Sequence, residues 1–425
     1  MYIDKKDLAR YNEIVKFDGS PARKMEGVRQ MKKQKQEEMQ MKRLLSVLLA
    51  VLMLSSMLAA CGSQTSKETS DTVKLAVACP VTGDSAEYGV HFSVAAQMAA
   101  EMINETGGIN GRTVEIEIFD SKNDAKEAAE VARLIGQDSA ILATIGDFSS
   151  TCCMASAPIY EENKLVQISP SAGLIDFPQV GSWNFATTGV QSDDGPFLAN
   201  RVLHETMGVK SYAVVYTNND FGLNFTGFMN EEAESLGITV TDSEAIASGE
   251  KDFTAIVSKM RQTNPEAVVI VATYNEVANC VKQIRQVGWD VPIVISGSSL
   301  TDQLVELLGE DVNGIYSNIA FVPSSDDENT SEFSKEFTER SGLAPSFHSV
   351  CTYDTVNLVC LAARKCGDNL TRETLRDALA AYTGFDGLMG PVEFTEEGAV
   401  HRGSKVVQYQ DGTLVALSEY MMPRD

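Results

Sequence analysis

Histidine is scarce in this chain: four residues in 425, His91, His204, His348 and His401, scattered and never paired at short spacing. No C-x-x-C occurs, so the spacings that hold zinc are missing and no metal is expected. There is no G-x-S-x-G nucleophile turn. The glycine-rich "FDGLMGPVEF" (Phe385–Phe394) precedes a strand, whereas a phosphate loop or dinucleotide turn must open a helix. Catalysis therefore has no foothold, and neither an enzyme nor a cofactor is expected. Basic residues are few after Ala60, 23 Lys+Arg against 52 Asp+Glu, a formal charge of −29. Such a surface repels phosphate backbones, which excludes nucleic acid as a partner. Long apolar runs are absent but for one, the 17 uncharged residues Leu44–Ala60. A membrane-spanning helix needs about 20 apolar residues, and this run is interrupted by Ser46, Ser55 and Ser56.

What is present around that run is more telling. Lys42 and Arg43 precede it and small residues follow it, the order of a secretory signal over residues 41–60. Its exit, Leu58-Ala59-Ala60-Cys61, resembles the lipobox of bacterial lipoproteins. That resemblance implies cleavage before Cys61 and a diacylglycerol on its thiol, giving an extracytoplasmic protein anchored to the cell membrane. Residues 1–40 are mixed in charge without an apolar period, and are expected to be a non-native or disordered extension upstream of Met31, Met39 or Met41. The polar stretch 61–71 lacks anything to bury and reads as a tether. Seven cysteines remain beyond Cys61, most in apolar runs where cysteine serves as a small hydrophobe. Cys351 and Cys360 are a candidate bridge.

From Val73 the pattern changes to short apolar runs alternating with amphipathic segments. "VKLAVACP", "TVEIEIFD", "AILATIG" and "LVQISP" read as strands, separated by helices in "VHFSVAAQMAAEMINE", "AKEAAEVARLI" and "SSTCCMASAPIYEEN". After Asp193 the alternation restarts: "PFLANRVLHETM", "SYAVVYT", "TGFMNEEAESLG", "TVTDSEAI", "FTAIVSKMRQT", "AVVIVAT", "EVANCVKQIRQVG" and "VPIVISG". Strands separated by helices imply right-handed crossovers and parallel sheets. The expected class is α/β, with two doubly wound parallel-sheet lobes.

Around these elements stand "LAVACPVTGDSAEY" (Leu75–Tyr88), "NETGGINGR" (Asn104–Arg112), "ISPSA" (Ile168–Ala172), "SGEKDF" (Ser248–Phe253) and "FDGLMGPVEF". In this order they resemble the type I periplasmic substrate-binding proteins of ABC importers, in particular those for leucine, isoleucine and valine. The resemblance runs from Val73 to about Leu417. It implies lobes at 72–190 plus 322–388 and at 191–321 plus 389–425, three crossovers, and a ligand cleft between. The expected function is capture of an amino acid, of branched-chain type, by a monomer that delivers it to an ABC permease. A binder of another small ligand (an amide, urea or an aromatic acid) and a ligand-sensing subunit are the alternatives.

Candidate site residues follow from both readings. In "AILATIGDFSSTCCMAS" a buried strand ends at Gly146, hydroxyls follow, and a helix starts near Thr151. Free N–H groups and the positive end of the dipole make such a start an anion site. Ser150 and Thr151 would donate to a ligand carboxylate; plain capping by Ser149 or Ser150 is the bland alternative. The family's carboxylate-binding serine falls on Ser150. "ISPSAG" repeats the arrangement: Ala172 matches the family, Gly173 stands where threonine is common, and Ser171 is placed to compensate. Glu276 falls on the family's carboxylate that pairs with the ligand ammonium; helix-dipole compensation is the bland alternative, but it would not require the strand-end position. Tyr88, Phe221 and Tyr274 are read as pocket walls, Phe221 where many relatives have tyrosine. Asp147 faces either a polar ligand side chain or solvent. Trp183, Trp289, Tyr353 and Asp354 are assigned to packing or hinge structure.

Overall fold

A computed structural model describes residues 71–322 and 328–423. The extension, the signal and Cys61 lie outside the described residues. Central strand β1 (Thr72–Cys79) is buried from Leu75 to Cys79, as a strand covered on both faces must be. α1 (Ala86–Glu105) carries the chain to β2 (Thr113–Asp120), which pairs parallel to β1 with Thr72 opposite Thr113 and Cys79 opposite Asp120. α2 (Ala125–Gln137), β3 (Ile141–Gly146), α3 (Ser150–Glu162), β4 (Val166–Ser169) and β5 (Asn184–Ala186) complete a parallel sheet in the order β2-β1-β3-β4-β5.

The second sheet collects β6 (Ser211–Thr217), β7 (Thr239–Ile246), β8 (Ala267–Val271), β9 (Ile293–Ile295) and β10 (Tyr316–Ile319), interleaved with α4 (Gln191–Phe197), α5 (Asp220–Ser235), α6 (Thr254–Gln262), α7 (Tyr274–Gln286) and α8 (Asp302–Leu308). The chain then returns through α9 (Glu328–Ser341), α10 (Phe347–Lys365) and α11 (Arg372–Ala380), with α10 packed along α1 of the first sheet. A short hairpin, β11 (Phe385–Gly387) with β12 (Gly390–Val392), precedes β13 (Lys405–Gln410) and β14 (Thr413–Ala416). β13 adds antiparallel to β10 and β14 antiparallel to β13, giving the order β14-β13-β10-β9-β8-β6-β7. The molecule is thus α/β with two doubly wound sheets.

In each sheet the strand order reverses once, between β1 and β3 and between β6 and β8. Open α/β sheets bind ligands beyond the carboxyl ends of strands at such switch points. The chain leaving β1 reaches Tyr88, that leaving β3 reaches Ser150, that leaving β6 reaches Phe221, and that leaving β8 reaches Tyr274 and Glu276.

Several expectations need correcting. α5 begins at Asp220, six residues before the expected Thr226, because the Asn219 side chain caps the Gly222 N–H at 2.9 Å. β5 is three residues long and shows no periodicity from which to read it. The helix expected from Pro196 begins at Gln191, and its second half, Leu198–Thr206, winds more widely than an α-helix. Cys351 and Cys360 are free thiols on α10. Nine residues of helix separate their Cα atoms by about 13 Å, beyond the roughly 7 Å a disulfide spans. Asp354 fastens α10 to the hairpin, accepting the N–H groups of Leu388 and Met389 at 2.9 Å each, and Trp183 is buried in the core.

Candidate functional site

The turn from β3 into α3 explains how a serine is released for other work. Gly146 has φ +126°, and a Cβ there would lie 2.1 Å from the Ala78 carbonyl oxygen, so only glycine lets β3 end this close to β1. Ser149 takes the capping position, its hydroxyl accepting the Cys152 N–H at 3.3 Å. Ser150 becomes the first helical residue, buried, with one bond accepted from Gln191 Nε2 at 3.4 Å. Thr151 is engaged across to α5: its hydroxyl donates to Asp220 Oδ2 at 2.7 Å and accepts the Asp220 N–H at 3.3 Å. Asp147 does not face solvent. It is fully buried, accepts from the Ser121 hydroxyl at 2.9 Å and the Phe148 N–H at 2.6 Å, and burial pushes its pKa up to about 7 against the lowering effect of those bonds.

Tyr88 is the centre of an aromatic cluster. Its ring stacks on Phe148 with centroids 4.1 Å apart, and Tyr274 and His348 lie at 5.3 and 5.0 Å. The Tyr88 hydroxyl donates to the Ser298 carbonyl at 3.1 Å and accepts the Tyr274 N–H at 3.4 Å. Burial raises its pKa well above the ordinary tyrosine range. Tyr274 in turn donates its hydroxyl to the Asp84 carbonyl at 2.8 Å, joined there by Asn275 Nδ2 at 2.6 Å. These bonds join the loop after β1 to the loops after β8 and β9.

Beside this cluster lies a cavity of about 60 Å³ whose lining includes Ser171, Gly173, Gln191, Phe221, Ser298 and Arg402. Ligand pockets begin at roughly 300 Å³, so the two sides lie close together here. Gly173 permits a close approach: a Cβ would sit 2.6 Å from the Gly189 carbonyl oxygen. Threonine therefore does not fit at this position without a backbone shift. Ala172 points elsewhere. Its methyl is buried with Cys153, Leu174 and Phe177, and its N–H donates to the Ser169 hydroxyl at 2.9 Å. Glu276 is buried, but it is not part of the cavity lining. Its Oε1 accepts the Gly249 N–H at 2.8 Å, and Oε2 accepts the Thr273 hydroxyl. A larger groove of about 1040 Å³ between α1, α9 and α10 holds none of the candidate residues. No cluster of metal-ligating side chains occurs among the described residues.

Ser171, Gly173 and Phe221 thus share one cavity, Tyr88 and Tyr274 one aromatic cluster, and Ser150 joins the former through Gln191. Sequence reasoning missed Phe148, Gln191, Asp220, Ser298 and His348. Phe148 and Asp220 adjoin residues it selected, a usable signal. Ser298 and His348 carried no local pattern, since only the meeting of distant loops brings them here.

Two doubly wound sheets whose loops after β4 (Ser171, Gly173), β6 (Phe221) and β9 (Ser298) meet at one cavity have the architecture of a two-sided small-molecule binding protein. The chain belongs to the periplasmic binding protein family, whose model matches residues 72–413. This is a family of substrate-binding proteins rather than enzymes, and an extracytoplasmic one. Among the described residues no helix is long and apolar enough to cross a membrane. The chain is 26% identical over 326 residues to Leu/Ile/Val-binding protein homolog 1 of Brucella abortus (strain 2308), covering 77% of this chain and 87% of that protein. It is 27% identical over 333 residues to a leucine-, isoleucine-, valine-, threonine- and alanine-binding protein of Pseudomonas aeruginosa, with the same coverage. Its fold is similar to the substrate-binding protein LivJ of a branched-chain amino acid transporter from Streptococcus pneumoniae, solved with isoleucine. That likeness has a TM-score of 0.77 at 25% identity, over 83% of this chain and 100% of that one.

Proposed function

We propose that this protein captures an amino acid of branched-chain type outside the cytoplasm and delivers it to an ABC permease. The observation that carries the reading is Ser149 capping α3, which frees Ser150 at the positive end of that helix, at a sheet switch point, to meet a ligand carboxylate. Relatives named for leucine, isoleucine and valine binding support the ligand class. Glu276 is the partner for the ligand ammonium. A carboxylate has about four acceptor sites, of which Gly249 and Thr273 occupy two. Tyr88, Tyr274 and Phe221 form the walls, and Ser171 and Gly173 the floor, with Ala172 packed behind it. Thr151 serves the carboxylate by its N–H while its hydroxyl ties α3 to α5.

In this reading the two sheets and their helices are lobes divided at 72–190 plus 322–388 and at 191–321 plus 389–425. They close on the ligand by a hinge motion of the three connections. A lipid on Cys61 holds the monomer at the membrane, and Cys61→Ala should release it from the membrane fraction or leave it uncleaved. The direct test of function is a melting-temperature panel of the twenty amino acids with amides and aromatic acids, since bound ligand adds about RT ln(1 + [L]/Kd) of stability. Leucine, isoleucine or valine should raise the melting temperature most. A shift with aromatic acids or amides and none with amino acids sinks the proposal. Gly173, where threonine is common in the leucine-type pattern and has no room here, is the observation that keeps such a ligand in the panel.

A further inference from the structure

His348 is the second residue of α10 and has no sequence signature, yet it is buried where the two sides of the cleft meet. Its ring lies among Tyr88, Phe148 and Phe347, with centroids 5.0, 5.4 and 4.9 Å away. Both nitrogens have polar partners. Nε2 is 3.3 Å from the Ser298 carbonyl oxygen, and Nδ1 is 3.2 Å from the Ser171 hydroxyl.

These partners fix where the protons are. A carbonyl oxygen only accepts, so Nε2 carries the ring proton. Burial, together with the neighbouring His91, pushes the His348 pKa down to about 3, so the imidazole holds a single proton and Nδ1 is bare. A bare Nδ1 accepts, which turns the one hydrogen of the Ser171 hydroxyl toward the histidine. The Ser171 N–H is engaged as well, donating to the Ser169 hydroxyl at 3.2 Å. Ser171 lines the cavity, and only its oxygen lone pairs remain for whatever enters.

We propose that His348 is a positioning residue that holds Ser171 as a hydrogen-bond acceptor, so that this corner of the cleft takes a ligand's ammonium and not its carboxylate. The carboxylate is left to the helix start at Ser150. The setting depends on closure, because Ser298 belongs to the loop after β9 on the second sheet whereas α10 packs on the first. When the two sides part, Nε2 loses the carbonyl that fixes its proton. The inference rests on the amino-acid reading of the cleft for its ligand, but not for the position of the protons.

The test has two arms on the full chain. The first is a long-range proton–nitrogen NMR spectrum of the ¹⁵N-labelled imidazoles at pH 7, with His348 assigned by its loss in His348→Phe and His348→Asn. The Nε2–H tautomer with bare Nδ1 is expected; the Nδ1–H tautomer or a doubly protonated ring overturns the proposal. The second arm is calorimetry with leucine and with 4-methylpentanoate, its deaminated analogue. His348→Phe removes the acceptor and should weaken leucine roughly tenfold or more while leaving 4-methylpentanoate within about twofold. His348→Asn, whose amide oxygen still accepts from Ser171, should recover most of the leucine affinity. Equal losses for both ligands in His348→Phe would mean a packing role alone and overturn the proposal. Leucine failing to bind the unmodified chain sinks the amino-acid reading; a wrong tautomer in a chain that binds leucine sinks this one.

Discussion

Two strand-to-helix turns at the sheet switch points, β3 into α3 and β8 into α7, are built alike but differ in charge. In the first, Ser149 caps the backbone and the first turn of α3 contains no acidic residue. In the second, Thr273 occupies the capping position without bonding the backbone, and its hydroxyl goes to Glu276 in the first turn of α7. A carboxylate at a helix start satisfies the partial positive charge there. The α7 turn therefore carries an acid in its own helix, while α3 has none in its first turn and meets Asp147 before it and Asp220 across from it. Set across a cleft, a helix start without an acid of its own and an acid-bearing start complement a zwitterion. Two residue choices in otherwise similar turns produce this polarity.

Removing the anion is the strongest way to break the contrast. Loss of one member of a buried charged pair costs about 2–5 kcal/mol, which at about 1.4 kcal/mol per decade means a roughly 30- to 3000-fold loss. Glu276→Gln should weaken leucine by that factor in calorimetry and hardly change 4-methylpentanoate. If both ligands or neither lose affinity, Glu276 only serves α7 and the Gly249 turn. On the opposite side, Ser150→Ala should cost about 1.5–3 kcal/mol, the range for hydrogen bonds to a charged group. Here leucine and 4-methylpentanoate should suffer alike, because both carry the carboxylate. An affinity within twofold of wild type, with unchanged circular dichroism, would reduce Ser150 to an ordinary first-turn residue.

The two turns were legible to different depths. Apolar runs such as "AILATIG" and "AVVIVAT" announce buried strands because both faces of a parallel sheet are covered, and the hydroxyls after Gly146 announce a helix start. Which serine caps is not legible, since Ser149 and Ser150 are chemically identical and one backbone angle decides between them. That Asp147 turns away from solvent is illegible for a related reason. It follows a strand end like a surface loop residue, but the tight approach of Gly146 to Ala78 carries it inward to Ser121. His348 and Ser298 are 50 positions apart in sequence, and nothing local marks either.

The burial of Asp147 sharpens the comparison through pH, because the turn before α3 holds this acid protonated up to about pH 7. The folded pKa of about 7 lies above the ordinary 3.8. The native state therefore holds a proton that the unfolded chain releases as pH rises from about 4 to 7. Stability attributable to this group falls across that window and is constant above it. Asp147→Asn should flatten the decline, so its melting temperature should drop less than the wild type's between pH 5 and pH 8. Parallel curves for the two proteins would mean that Asp147 is ionised in the fold.

The smallest expected effect concerns the link between the sides rather than either charge. Tyr274 heads α7, and its hydroxyl donates to the Asp84 carbonyl across the cleft at 2.8 Å, while its ring stays packed against Tyr88. Tyr274→Phe keeps the ring and deletes this one neutral bond, worth about 0.5–1.5 kcal/mol. Asn275 Nδ2 still donates to the same oxygen, so the carbonyl is not orphaned and the loss belongs at the lower end. A loss that only disfavours closure raises the dissociation constant of every ligand by the same factor, about two- to fivefold, whatever charges the ligand bears. Leucine and 4-methylpentanoate should therefore weaken together, unlike the outcome at Glu276, and small-angle scattering of the ligand-free chain should show a larger radius of gyration. A change confined to one ligand would place the Tyr274 hydroxyl against that ligand, and would make it part of the α7 side's recognition chemistry instead of a link between the lobes.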